Sequence, residues 1–398
     1  MSFDTAMAHP VTGKTESVTG WRMTFAALCA TLVGNGLSRF AYTPLIPALI
    51  DAGWFAPADA AYLGAANLAG YLAGAVLARP SAQRVAPVAW LRGVMALATV
   101  AFFACAFPLS FGWFFVWRFI AGYCGGILLV LAAPTVLPHV LRARRGLAGG
   151  IIFTGVGIGI AASGTLVPSL LHWGLRETWF GLGALSLLLT VLAWRNWPVA
   201  AAATPTARGM AKAFTPALTA IYVAYGLTAM GLVPHMLFLV DFVARGLGQG
   251  LAIGARYWVL FGIGALIGPS IAGHLGDRLG FGLAVRLALV VQAVCVGLLA
   301  LTSATAALIV SSIAIGAAVP AISSLILGRI HEIAPAESEI AWSLATIAFA
   351  VGAAVAAYVY SYLFARGSPY TLLFALGAAA LLGALVLDLK FGRRGEAR

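Results

Sequence analysis

Apolar segments of about 20 residues recur along almost the whole chain, and this pattern restricts the fold more than any other feature. A helix of about 20 apolar residues crosses the roughly 30 Å hydrocarbon layer of a bilayer. Only 9% of the 398 residues are charged and 62% are hydrophobic, whereas a soluble domain is about 25% charged. This composition excludes a soluble enzyme, a nucleic-acid-binding domain and a disordered chain.

Twelve of these segments are predicted to cross the membrane as helices, so we predict an all-α membrane protein. In the first half the predicted spans are roughly 22–48, 58–78, 88–108, 112–137, 147–171 and 178–197. In the second half they are roughly 215–240, 253–275, 283–303, 306–328, 339–364 and 370–389. An even number of spans brings both ends of the chain to the same side of the membrane.

The basic residues predict which side that is. The formal net charge is +12, and in a membrane protein arginine and lysine collect in cytoplasmic loops. With the amino terminus inside, 18 of the 24 basic residues fall in cytoplasmic segments, four fall outside and two fall within spans. We therefore predict a multi-pass protein of the cytoplasmic (inner) membrane, with both termini in the cytoplasm and no nucleic-acid partner.

Two loop sequences indicate an internal duplication. Residues 273–280 (GHLGDRLG) follow the eighth predicted span, residues 74–79 (GAVLAR) follow the second, and their first glycines are 199 positions apart. A parallel duplication of a six-helix unit predicts a spacing of half the chain. The predicted organisation is a tail at 1–20, a six-helix bundle at 21–197, a linker at 198–214, a second bundle at 215–389 and a tail at 390–398.

Three motifs carry a resemblance to a known family. Residues 273–280 are similar to the G-x-L-x-D-R-x-G loop of the major facilitator superfamily of secondary transporters, and residues 118–126 (RFIAGYCGG) are similar to its R-x-x-x-G-x-x-x-G signature. Residues 39–44 (RFAYTP) resemble the YbfB/YjiJ-type branch. The resemblance covers the whole chain. It implies two pseudo-symmetric six-helix bundles, with the first, fourth, seventh and tenth helices around a central cavity.

The loop motif suggests a gating role for its charged residues. Asp277 and Arg278 are predicted to form a latch that bridges neighbouring helix ends in one conformation and releases them in another. The alternative is a solvated turn in which Arg278 serves only as a topology charge. The corresponding loop of the first half keeps Arg79 but has Ala78 where the family usually has an acid. A carboxylate that holds neighbouring helix ends is therefore expected only in the second half, at Asp277.

The two arginines within predicted spans suggest the position of a solute site. A guanidinium in hydrocarbon costs about 2.5–3.5 kcal/mol on insertion scales, so such a group normally faces protein or water. Arg39 and Arg118 fall at similar depth in the outer half of the first bundle, with Asn35 one helical turn from Arg39 and Tyr42 in the same run. We predict that these four residues bind solute. The alternative for Arg118 is that it extends to the outer headgroups.

In the second half, the spacing of the duplication places the counterpart of Arg39 near His235 and Asp241. His235 is predicted either to contact solute or to bond a neighbouring helix, and Tyr222 and Tyr225 of the same span are predicted to line the cavity and bind solute. Among the titratable groups, Asp241 and His235 come closest to an intramembrane position. We assign Asp241 to gating or coupling, and proton coupling stays open.

The predicted function is secondary active transport of a small solute by alternating access. Two arginines and no buried acid would make the cavity electropositive, and guanidiniums bind carboxylates and phosphates, so we expect an organic anion. If Arg39 or Arg118 instead pairs internally with Asp241 or with backbone carbonyls, the cavity would be neutral and the same fold would export apolar or cationic compounds. A transporter-like membrane sensor or interaction protein is the alternative of another class.

We expect no catalytic residue, no metal and no cofactor, and we do not expect an enzyme. The four cysteines lie inside apolar runs without metal-binding spacing, so they are expected to pack as small hydrophobic side chains. The expected partners are the solute, the lipid bilayer and either a coupled proton or a counter-solute. The chain is expected to be a monomer.

Overall fold

The computed structural model describes residues 12–141, 144–198 and 213–391, and within them every regular element is helical. Within these ranges, eleven helices are long and apolar enough to cross a bilayer. They coincide with the second to the twelfth of the predicted spans, so the prediction of a multi-pass all-α protein is confirmed. The segment predicted as the first span consists of shorter pieces.

The first half, up to residue 198, contains helices α1 (Thr12–Thr31), α2 (Leu45–Asp51), α3 (Pro57–Arg84), α4 (Pro87–Cys105), α5 (Phe111–Val136), α6 (Arg145–Leu171) and α7 (Leu175–Trp194). The second half, from residue 213, contains α8 (Pro216–Val233), α9 (Leu239–Asp241), α10 (Leu251–Leu279), α11 (Phe281–Leu301), α12 (Thr305–Ile333), α13 (Ser338–Ala365) and α14 (Tyr370–Phe391). Consecutive spans alternate in direction. We call outer the end that carries the loops 52–56, 106–110, 172–174, 247–250, 302–304 and 366–369, and inner the opposite end.

The local sequence explains several helix ends. α3 and α4 begin with Pro57 and Pro87, because a proline at the first helical position lacks an N–H that would have no partner there. At the start of α5 the Ser110 hydroxyl accepts a hydrogen bond from the backbone N–H of Trp113, which satisfies one free donor. α10 is followed by Gly280 with a φ of +78°, a conformation that glycine adopts without strain.

Two of the predicted breaks between spans are helical. α3 continues through Pro80 to Arg84 and α10 continues to Leu279, so residues 79–81 and 276–278 lie in helices. Pro80 removes one helical hydrogen bond, but this end of α3 is exposed and water can bind the freed carbonyl oxygen. The predicted break was wrong because a proline near an exposed helix end disrupts little.

The first and the seventh span are interrupted in their outer halves. In the first, a π-helical turn at Leu32–Leu37 and a 3₁₀ turn at Phe40–Tyr42 separate α1 from α2. In the seventh, π-helical turns at Pro234–Phe238 and Phe242–Gly246 flank the short α9. Prolines at both places remove backbone donors, and π-helical turns are frequent at functional sites. Both interruptions therefore mark the outer halves of these spans as candidate functional regions.

Glycines bring the helices of the first half into close contact. A Cβ atom at Gly122 of α5 would overlap the carbonyl oxygen of Asn67 on α3. Cβ atoms at Gly70 and Gly74 of α3 would in turn overlap carbonyl oxygens of α5. Small residues allow this approach of two backbones, which favours helix association inside a bilayer.

The same contacts recur between α10 and α12, at positions 194 residues further along the chain. The glycines at 70, 74 and 122 correspond in this way to those at 264, 268 and 316, and a Cβ atom at each would overlap a carbonyl oxygen of the facing helix. The packing counterpart of Gly74 is thus Gly268 and not Gly273. With a spacing of 194, residues 273–280 correspond to residues 79–86 (RPSAQRVA). The pairing of 273–280 with residues 74–79, and the spacing of 199 that it gave, was therefore wrong.

The most extensive contacts between the halves pair α3 with α13 and α6 with α10, and α2 also contacts α9. Between α10 and α6 the indole N–H of Trp258 donates a hydrogen bond to the Ser163 hydroxyl at 3.1 Å. Between α3 and α13 the rings of Tyr62 and Tyr358 lie 6.4 Å apart, centroid to centroid. All four residues lie in the outer halves of their helices.

Candidate functional site

The interruption of the first span is held by two side chains from neighbouring helices. The backbone carbonyl of Ser38 accepts hydrogen bonds from Arg118 Nη1 at 2.9 Å and from Asn67 Nδ2 at 3.3 Å. The same amide nitrogen of Asn67 donates to the carbonyl oxygen of Arg118 at 3.1 Å. The break between α1 and α2 is therefore fixed to α3 and α5 by polar groups inside the first half.

Arg118 lies within the protein and not at the headgroups. It is 2% exposed, and its guanidinium carbon lies 4.2 Å from the centroid of the Tyr42 ring. A carbonyl and an aromatic face both interact favourably with a cation, and Arg118 forms no ion pair within the described part of the chain. Its position fits a group that stabilises the break at Ser38.

Arg39 lies at the boundary between the two halves. It is partly exposed, and its guanidinium carbon lies 5.0 Å from the ring centroid of Phe40 and 4.9 Å from that of Tyr71. Its Nη2 atom is 4.0 Å from the sulfur of Met236, which belongs to the seventh span. Arg39, like Arg118, has no carboxylate partner among the described residues.

The other two predicted binding residues of the first half bond to protein. The Asn35 amide donates to the carbonyl oxygen of Gly125 on α5 at 3.0 Å. The Tyr42 hydroxyl donates to the carbonyl oxygen of Ala60 on α3 at 2.8 Å, and both side chains are buried. Asn35 and Tyr42 both lie at the interruption of the first span, but the Asn35 amide and the Tyr42 hydroxyl already donate to backbone carbonyls of neighbouring helices.

His235 points into the second half. It is fully buried, its Nε2 atom lies 2.7 Å from the Ser311 hydroxyl, and that hydroxyl donates to the carbonyl oxygen of Cys295 at 2.7 Å. Its ring packs edge-on against Phe374, with centroids 5.1 Å apart. Of the two roles predicted for His235, these contacts favour hydrogen bonding to a neighbouring helix.

The two tyrosines of the seventh span also have protein partners. The Tyr222 hydroxyl donates to the carbonyl oxygen of Ala213 at 2.8 Å. The Tyr225 hydroxyl lies 2.7 Å from the Ser323 hydroxyl of α12, and its ring lies 4.7 Å from that of Phe349. Tyr225 thus belongs to a polar contact between the seventh and tenth spans, which the resemblance places at the cavity.

Asp241 forms the centre of a charged cluster near the outer end. It is fully buried, so the expectation that the spans contain no buried acid was wrong. It accepts a hydrogen bond from the Tyr370 hydroxyl. Arg245 Nη1 lies 3.4 Å from one Asp241 oxygen, and Arg245 Nε lies 3.8 Å from Asp51 Oδ1 at the end of α2. Arg245 therefore connects the seventh span to the first.

The partners of Asp241 were not identified from the sequence. The separation of four residues between Asp241 and Arg245 was the available signal, because residues i and i+4 share a helix face. Asp51 and Tyr370 gave no comparable signal, since their proximity depends on the packing of α2 and α14.

The predicted latch residues at the inner end are exposed. Asp277, Arg278 and Arg79 all lie on the surface, and none of them forms an ion pair with a described residue. The latch therefore stays a prediction without a partner identified among the described residues.

A different charged cluster is buried at the inner end of the second half. Asp388 of α14 is 3% exposed and is approached by Arg286 Nε at 2.9 Å and by Arg329 Nη2 at 3.5 Å. The sequence interpretation counted both arginines as charges of cytoplasmic segments. Arg329 is 1% exposed within α12, because this helix extends to Ile333, five residues beyond the predicted end.

Comparison with known families decides the affiliation of the chain. A family model described as "Uncharacterised MFS-type transporter YbfB" matches residues 31–389. The chain belongs to this family. The matched range covers nine-tenths of this YbfB-type transporter and includes every predicted site residue. No curated protein matches the sequence.

The family places the geometry in context. A YbfB-type MFS protein is a multi-pass membrane transporter, so the interrupted spans and the polar groups between the halves belong to a transport protein. The resemblance to the superfamily and its YbfB-type branch, drawn from residues 39–44, 118–126 and 273–280, is confirmed.

Proposed function

We propose that this YbfB-type transporter moves a small organic anion across the cytoplasmic membrane by alternating access, with Arg39 as the principal contact for the anion. The observation that carries the proposal is the position of Arg39, partly exposed at the boundary between the halves and without an ion pair to a described residue. A planar guanidinium binds carboxylate and phosphate groups through two parallel hydrogen bonds.

The architecture that we propose has twelve spans in two pseudo-symmetric six-helix bundles, at 21–197 and 215–389, with both termini in the cytoplasm. The glycine contacts that recur after 194 residues support the duplication. The proposed pseudo-symmetry relates the second span to the eighth and the eleventh span to the fifth. The second span contacts the eleventh and the eighth contacts the fifth, as this symmetry requires. The distribution of basic residues supports the orientation.

The roles of the two predicted arginines differ in this proposal. Arg118 positions the broken first span through the Ser38 carbonyl, and its burial leaves it little access to solute. Arg39, next in sequence to Ser38, owes its location to that break. In the alternative, Arg39 or Arg118 pairs internally with Asp241 or with backbone carbonyls. Asp241 bonds to Arg245 and Tyr370 instead, and Arg118 does bond a backbone carbonyl, so the anion proposal depends on Arg39 alone.

The contacts between the halves support a state in which the outer side is closed. The Thr43 hydroxyl donates to the Met236 carbonyl oxygen at 2.6 Å, and Arg245 reaches Asp51. The hydrogen bond between Trp258 and Ser163 also joins the two bundles. Among the described residues, these three polar contacts between the bundles all lie towards the outer ends of the spans. We propose that the contact between Arg245 and Asp51 acts as an outer gate.

Ligand-dependent thermal unfolding of the purified protein in detergent tests the substrate class. Organic anions are expected to raise the melting temperature of the wild type, whereas organic cations are not. The anions to be tested are monocarboxylates, dicarboxylates and phosphate esters. A ligand at about 100 times its dissociation constant stabilises a folded state by about 2.7 kcal/mol. The variant Arg39→Ala is expected to lose the shift, and Arg39→Lys to retain part of it because the positive charge remains.

The matched control is Arg366→Ala, since Arg366 is exposed and its side chain contacts Tyr362 of its own helix. This variant is expected to keep the response to anions. Arg118→Ala is expected to lower the melting temperature even without ligand, because the Ser38 carbonyl loses a buried partner. Stabilisation by cations, or an anion response that persists in Arg39→Ala, would exclude the proposed role of Arg39.

A second experiment tests the outer gate. Leu237 packs against Gly64 across the boundary between the halves and is buried, so a cysteine at this position reports opening of the outer side. In the Leu237→Cys background, Arg245→Ala is expected to raise the rate of labelling by a membrane-impermeant maleimide about two- to fivefold, because a partly exposed ion pair contributes up to about 1 kcal/mol. Arg366→Ala should leave the rate unchanged, and equal rates in both variants would remove the gate from the mechanism.

A further inference from the structure

A groove on the outside of the first half lies between α4 and α7, away from the boundary between the halves. Its volume is about 840 Å³. The lining consists of residues 96, 99, 100 and 103 of α4 and residues 187, 190–192, 194 and 195 of α7 and its end. Val100, Leu187 and Val191 are each about half exposed, as expected for side chains that meet lipid.

The floor of the groove is held closed by hydroxyl groups. The Thr99 hydroxyl lies 2.7 Å from that of Ser186 and 3.3 Å from that of Thr190. Thr99 and Thr190 also donate to carbonyl oxygens one turn earlier in their own helices, so these polar groups are satisfied without water. The short side chains of Thr99, Ser186 and Thr190 allow α4 and α7 to approach closely at the floor. The larger apolar side chains line the open sides of the groove.

The inner end of the groove is cationic. Arg195 lines this end and is exposed. The guanidinium carbon of Arg92, near the start of α4, lies 5.6 Å from the ring centroid of Trp194. Neither arginine forms an ion pair with a described residue. Two guanidiniums and an indole ring therefore surround the mouth of an apolar groove at the level where headgroups lie.

We propose that this groove is a binding site for an anionic phospholipid of the inner leaflet, with one acyl chain between α4 and α7 and the phosphate at Arg92 and Arg195. From Leu187 to Arg195 the helix rises about 12 Å, close to half of the roughly 30 Å hydrocarbon layer, so the groove matches a chain of one leaflet. Basic pockets between spans on the cytoplasmic side suit anionic headgroups. The inference rests on the proposed orientation of the chain and not on the proposed solute.

Thermal unfolding in mixed micelles tests this site. Phosphatidylglycerol and phosphatidylcholine with identical acyl chains are added separately at equal mole fraction. Phosphatidylglycerol is expected to stabilise the wild type more strongly. The double variant Arg92→Gln/Arg195→Gln is expected to bind it about 10- to 30-fold more weakly, since each arginine near an anionic surface contributes about 1 kcal/mol.

The charge control is the double variant Arg22→Gln/Arg144→Gln, which removes two exposed arginines at the same end but outside the groove. It should keep the preference for phosphatidylglycerol. Ala96→Phe fills the groove without a change of charge and should weaken binding of the lipid, whereas Val294→Phe, on the exposed side of α11, should not. Equal stabilisation by both lipids, or a preference retained in Arg92→Gln/Arg195→Gln, would overturn the proposal. Because no solute is added, these outcomes are independent of the test of Arg39.

Discussion

Gly122→Ala is expected to yield no stably folded protein. A single methyl group at this position would overlap the carbonyl oxygen of Asn67 on α3, and a backbone atom of a packed helix cannot move aside as a flexible side chain does. Overpacking of a core commonly costs about 1–3 kcal/mol, and the cost here should exceed that range because α3 and α5 must separate along their contact. The yield of monodisperse protein after size-exclusion chromatography in detergent measures the effect.

Gly93→Ala provides the matched control. Gly93 lies in α4, its surroundings leave room for a Cβ atom, and alanine favours a helix over glycine by about 1 kcal/mol. The control should therefore match or slightly exceed the wild type in yield and melting temperature. A stable Gly122→Ala protein would show that α3 and α5 are less tightly packed than described.

Asp388→Asn is expected to destabilise the second half severely. Asp388 is the carboxylate that approaches both Arg286 and Arg329 at the inner end, and Arg329 is almost fully buried. Loss of one partner from a buried ion pair costs about 3–5 kcal/mol, because the remaining charge stays in a dry environment. We expect a large fall in the melting temperature of the purified protein.

Asp277→Asn tests the other acid at the same end of the molecule. Asp277 is exposed and has no ion pair with a described residue, so the same chemical change should leave the melting temperature unchanged. A comparable fall in both variants would mean that Asp277 has a strong partner after all, as the latch hypothesis requires.

Much of the architecture could be predicted because lipid imposes a simple rule. A span needs an unbroken run of apolar residues, so the eleven spanning helices in the described part of the chain appear where the hydropathy places them. The exact ends could not be predicted, since α3 passes through Pro80 and α12 extends to Ile333. The end of α3 lies at the surface, where water satisfies a free carbonyl and relaxes the usual penalty of proline. The end of α12 instead carries Arg329 to its buried partner Asp388, a contact between distant helices that hydropathy does not show.

The candidate site was predictable only in part. The cost of a guanidinium in hydrocarbon was enough to indicate that Arg39 and Arg118 face protein. It did not distinguish the two, because the difference arises from the carbonyl of Ser38, which depends on how the first span breaks. Likewise, His235 could face either the cavity or the bundle, and the choice depends on Ser311, which lies 76 positions away.

The surroundings of Arg39 come from both halves of the molecule, and this has a consequence for binding. Tyr71 belongs to the same half as Arg39, whereas Met236 belongs to the other. Any motion that separates the halves carries the thioether away and leaves the phenol ring beneath the guanidinium. The Arg39 guanidinium then loses the Met236 sulfur as a neighbour and gains water or an anion in its place. The hydration of Arg39 therefore changes with the position of the second bundle, even when the helix that carries Arg39 does not move.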